Sequence, residues 1–121
     1  MYSTQILDHF EHPRNAGTVA APDAFAQIEN PACGDVLQLT LRLSGDRIEE
    51  IRFLAKGCVC SIACGSALTE LAKGITVGQA RELKREQLLS KVGDLPPASM
   101  HASHLAMDAL AAALNQLPSR T

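Results

Sequence analysis

The 121 residues set one domain over residues 1–121, large enough to fold without disulfides. Thirteen acidic against eleven basic residues leave a net charge of −2, which excludes an electrostatic footprint for nucleic acid or an anionic membrane. No apolar run approaches the roughly 18 residues of a spanning helix, and residues 1–5 lack the charged-then-apolar order of a secretory leader, so a soluble, cytoplasmic protein is expected.

In chain order, Ile6, Leu7 and Phe10 recur at helical spacing from Ser3 to His12, with Ser3 or Thr4 as cap and Pro13 as stop. His9 and His12 read as surface residues of that helix. Arg14 to Gly17 reads as a turn, and Ala24 to Glu29 as a strand of mixed alternation. From Val36 to Leu43 the period is two: Leu37, Leu39, Leu41 and Leu43 face one way, Gln38, Thr40 and Arg42 the other. Ser44–Gly45–Asp46 turns the chain, and Ile51, Phe53 and Ala55 continue the alternation in the second arm of a hairpin.

After Gly57 the period becomes helical, through Ile62, Ala63, Ala67, Leu68, Leu71 and Ala72, with Cys60 or Ser61 near the cap and Gly74 as stop. Thr76 caps a short helix through Leu83, and another runs from Arg85 to Leu89. Leu95–Pro96–Pro97 is a stiff, extended spacer. A last helix runs from Met100 to Leu117, with Met107, Leu110, Ala111, Leu114 and Leu117 as its apolar seam. Strands segregated from helices predict an α+β fold: a small three-stranded antiparallel sheet covered by helices.

Chemistry concentrates in three segments. In Asn30–Pro31–Ala32–Cys33–Gly34–Asp35 a bend presents the Cys33 thiol and the Asp35 carboxylate two residues apart. Soft sulfur beside hard oxygen suits an exchangeable Fe(II) or Zn(II). In Lys56 to Gly65, Cys58 and Cys60 stand where strand gives way to helix, a place that lowers thiol pKa, while Cys64 lies one turn further in and reads as a small core residue. The spacing of Cys58, Cys60 and Cys64 matches no common zinc or ferredoxin pattern. In the third segment His101 can add an imidazole ligand, whereas His104 reads as solvated. Four cysteines could instead be a disulfide framework, but that belongs to secreted chains, and Cys58 and Cys60 are poorly spaced to pair. No Ser-His-Asp order, Walker loop or dinucleotide fingerprint is present, so no enzyme is expected.

These segments, taken together and in order, resemble the IscU/NifU N-terminal family of iron–sulfur cluster assembly scaffolds. The resemblance rests on Tyr2–Ser3, Asp8–His9, Pro13–Arg14–Asn15, Pro31 to Asp35, Gly57–Cys58 through Lys73–Gly74, and Leu95–Pro96–Pro97 followed by His101. It implies a scaffold, not a catalyst, with sulfur delivered as a persulfide by a cysteine desulfurase. Iron joins the sulfur, and a [2Fe–2S] cluster forms and passes to apo client proteins. Carried over, Cys33, Asp35, Cys58 and His101 are the site residues. The family's cysteine after this histidine is replaced by Ala102, and Cys60 is expected to substitute for the lost thiol beside Cys33, Cys58 and either His101 or Asp35. The lysine by which an Hsp70-type chaperone reads the family's Leu-Pro-Pro motif is also absent, Ala98–Ser99 following the prolines. With that ligand set Zn(II) is the alternative occupant, as in a zinc-dependent persulfide acceptor or a zinc-bearing interaction module.

Overall fold

A computed structural model describes residues 2–31, 34–93 and 95–117; Cys33 lies outside these. Ser3 opens α1 (Thr4–Glu11), its hydroxyl accepting the Ile6 N–H at 3.0 Å and donating to the carbonyl of Val92. Three strands follow, β1 (Ala24–Glu29), β2 (Val36–Ser44) and β3 (Arg47–Lys56), in the antiparallel order β1-β2-β3. Ala26, Leu39 and Phe53 stand in one row of the register, and Ala24, Leu41 and Ile51 in the next. All six are buried. The expected alternation holds through Leu41 and breaks at a bulge between Arg42 and Leu43, beyond which Leu43 is half-exposed. Thr40 points away from the helices but is buried, because the preceding loop crosses that face and the Val19 N–H donates to its hydroxyl at 2.9 Å.

The chain then forms α2 (Val59–Ala72), α3 (Val77–Arg81), α4 (Arg85–Val92), a 3₁₀ turn (Pro97–Ser99) and α5 (His101–Leu114). α2 packs against α1, β3, α4 and α5 at once, so it is buried on nearly every side. Gly65 is required there: a β-carbon would come within 2.6 Å of the Phe53 ring. α5 lies across β1 and β2, and the Gln116 carboxamide pairs with both the N–H and the carbonyl of Phe25, closing part of the β1 edge.

Four readings of the sequence are corrected. In α1 only Ile6 of the three apolar positions is buried; Leu7 and Phe10 face solvent, and His9 takes the inner face. Its Nδ1 lies 2.8 Å from the Ser66 hydroxyl and its Nε2 3.5 Å from Glu70 Oε1, so a polar pair stands in for an apolar contact. The seam of α5 is rotated: Ala102, Leu105, Ala106, Ala109 and Ala113 are buried with Leu110 and Leu114, while Met107 and Ala111 are not. The chain packs there through small residues that a search for large apolar side chains passes over. The cap of α2 is Cys58, two residues before Cys60 and three before Ser61. The segment after Leu95 extends only through Pro96, then coils into the 3₁₀ turn.

Candidate metal centre

Three chain segments end at the same tip of the domain. Asp35 immediately precedes β2, Cys58 caps α2 just after β3, and His101 opens α5. Strand pairing does much of the placing: Val36 is opposite Lys56, so the residues before β2 and after β3 are neighbours. Gly57 makes the close approach feasible. Its φ of 148° and a would-be β-carbon that overlaps the Asp35 carboxylate both demand glycine.

One carboxylate oxygen is the hub. Asp35 Oδ2 accepts from the Ser61 hydroxyl at 2.6 Å and from the Cys58 thiol at 3.5 Å, and lies 3.3 Å from His101 Nε2. Asp35 is buried, Cys58 and His101 half-exposed, so the ligand atoms sit at the boundary between core and solvent. Among the described residues, Asp35, Cys58 and His101 form a group whose ligand atoms all lie within 4.8 Å of one another. The donor spacing fits a metal ion. Bonds of about 2.1 Å to oxygen or nitrogen and about 2.3 Å to sulfur put tetrahedral ligands roughly 3.4–3.6 Å apart, against 3.3 and 3.5 Å here. Thiolate, carboxylate and imidazole together make a borderline set, suited to Fe(II) or Zn(II).

The remaining predicted residues fall out differently. Cys33, two residues before Asp35, lies outside the described residues. Cys60 is wholly buried and outside the convergent group. The helix start was expected to lower its pKa; burial instead raises it, with the Ser99 hydroxyl partly opposing and Cys58 adding to the rise. Its thiol thus keeps company with Ser99, one turn before Ala102, which is itself buried. Cys64 is a core residue as expected, its thiol pushed up to about 12 by burial. His104 is exposed, and together with His101, Asn30, Pro31 and Asp108 it lines a shallow cavity of about 220 Å³ that opens beside the centre.

Ser61 is the member that sequence reasoning missed. It registers there only as a helix cap, yet it is wholly buried and its hydroxyl lies 3.4 Å from Cys58 Sγ as well as on Asp35. The available signal was its spacing, three residues after Cys58 in a first helical turn, which puts both on one face.

Comparison with known proteins adds an independent line. A family model described as the NifU-like N terminal domain matches residues 1–121. The chain is 40% identical over 114 residues to the iron-sulfur cluster assembly scaffold protein IscU 1 of Archaeoglobus fulgidus, covering 94% of this chain and 74% of that one. It is 38% identical to the scaffold protein IscU of Haemophilus influenzae, covering 93% and 92%. Among solved structures, a NifU-like protein from Brucella abortus superposes with a TM-score of 0.76 at 22% identity, over 94% of this chain and 92% of that one. The fold is therefore shared where the sequence has diverged.

Proposed function

The chain belongs to the NifU-like N terminal domain family, and we propose that it is an iron–sulfur cluster assembly scaffold that carries its cargo at the Asp35, Cys58 and His101 centre. In this reading a cysteine desulfurase supplies sulfur as a persulfide, Fe(II) together with an added thiol reductant provides the electrons that take it to sulfide, and the resulting [2Fe–2S] cluster is passed to apo client proteins. The protein acts as a carrier and not as a catalyst. Its relatives in Archaeoglobus fulgidus and Haemophilus influenzae bear the name of such scaffolds.

The observation that carries the proposal is the convergence of three distant segments on one carboxylate oxygen. Half-exposed ligands with one oxygen donor suit cargo that must leave again: a carboxylate holds iron less firmly than a thiolate does. Cys33 supplies a further sulfur from the loop that leads into Asp35. Cys60 is the reserve thiol for the ligand that Ala102 does not offer; it lies beside Ser99 in the core and would have to leave that buried position to join the cluster. Zn(II) is a second occupant that the thiolate, carboxylate and imidazole donor set admits; a zinc-loaded form would serve as a sulfur acceptor, with the metal promoting the thiolate.

Anaerobic reconstitution with Fe(II), cysteine, a cysteine desulfurase and a thiol reductant tests the assignment. The expected result is visible charge-transfer absorption that Cys58→Ser abolishes and Cys60→Ser shortens in lifetime. Stoichiometric zinc with no visible chromophore would give the assignment to the second reading. Unchanged iron and sulfide content in Cys60→Ser would remove Cys60 from the ligand set.

A further inference from the structure

We propose that Ser61 is a positioning residue of this centre, holding the Asp35 carboxylate in its ligating orientation once metal is bound; this rests on the reading of the tip as a metal centre. Before metal arrives, three side chains among the described residues meet Asp35 Oδ2: Ser61 at 2.6 Å, His101 at 3.3 Å and Cys58 at 3.5 Å. Two of them are themselves ligands. The Cys58 thiol binds metal only after giving up the proton that it points at Asp35, and an imidazole nitrogen binds only in its unprotonated form, in which it donates nothing to the carboxylate. Loading therefore removes the Cys58 and His101 hydrogen bonds to the carboxylate and leaves the Ser61 one, the shortest, intact.

The surroundings give Ser61 no competing duty. It is wholly buried in the first turn of α2, and among the described residues its hydroxyl hydrogen-bonds Asp35 and Cys58. On the opposite side the carboxylate is pressed against the bare α-carbon of Gly57. Backbone on one side and hydroxyl on the other clamp the group that the metal must find in place. Hydrogen bonds behind a ligand of this kind are worth about 10- to 100-fold in metal affinity.

Titration of the full chain with Co(II), whose ligand-field bands report coordination, tests the inference in wild type, Ser61→Ala, Asp35→Asn and the double variant. The expected result is about a tenfold loss of affinity in Ser61→Ala, with altered ligand-field bands and faster release to a chelator, circular dichroism showing that the metal-free variant is folded. In the Asp35→Asn background, Ser61→Ala should add nothing further, because the two residues act as one unit. Wild-type affinity in Ser61→Ala overturns the inference, as does an undiminished loss in the Asp35→Asn background. Failure of the wild-type chain to bind Co(II) at all would overturn the metal-centre reading beneath it.

Discussion

Cys58, Cys60 and Cys64 share one short stretch of sequence and have three different chemical lives. Cys58 is half-exposed at the cap of α2, whereas Cys60 and Cys64 are wholly buried on its inner faces. Burial disfavours the thiolate, and for Cys64 it carries the pKa to about 12. Alkylation follows the thiolate and its access, so iodoacetamide added to the folded, metal-free protein at pH 7.5 should modify Cys58 and spare Cys60 and Cys64. Peptide mapping after quenching and unfolding reads the order. Modification of Cys60 at the rate of Cys58 would show that its thiol spends time outside the core. Composition and spacing made the cluster of cysteines visible; they could not rank it, since rank depends on which face of α2 meets which neighbour. The same limit hid Ser61, whose role exists only because Asp35 arrives from another strand.

Among the elements, α1 shows how far hydrophobic periodicity reaches. The strands of β2 and β3 were legible because one face of their sheet is buried and alternation at period two records it in Leu37, Leu39 and Leu41. α1 is only eight residues long, and its inner face is shared by Ile6 and the polar His9, so Leu7 and Phe10 misled the reading. α2 is buried on so many sides that no stripe distinguishes its faces. The His9 contact has a measurable consequence. Burial, and secondarily Arg14, holds the imidazole below its ordinary value of 6.5, against weaker opposing pulls from Glu70 and Asp8 and a small push from Lys91 in the same direction as Arg14. The unfolded chain then takes up the proton more readily than the folded one. Stability attributable to His9 is present above the unfolded value and drains away as pH falls through 6.5 toward the lower folded value. Urea unfolding at pH 7.5 and 5.5 should show a larger drop in midpoint for wild type than for His9→Gln. Equal drops would mean that His9 titrates alike in both states.

At the scale of the whole molecule, the centre ties together the loop before β2, the β3–α2 junction and the start of α5. No stretch of sequence contains it: the residues could be singled out one segment at a time, and the family resemblance joined them into one site. A ligand that binds only where all three segments meet stabilises the native state by mass action, by about 2.7 kcal/mol at a free concentration one hundred times its dissociation constant. For a domain of this size that corresponds to a rise of about 10 °C in melting temperature. Zn(II) at that excess should produce such a rise in wild type. For His101→Ala the rise is read from the variant's own metal-free melting temperature, because the His101 side chain is only 30% exposed and reaches Asp35, so that its loss lowers the metal-free value too. With metal, the variant should recover only a small part of the shift, since the tie to α5 has been cut. Were His101→Ala to gain the full increment, zinc would be held by the Asp35 and Cys58 segments without α5, and the three-segment centre would reduce to two.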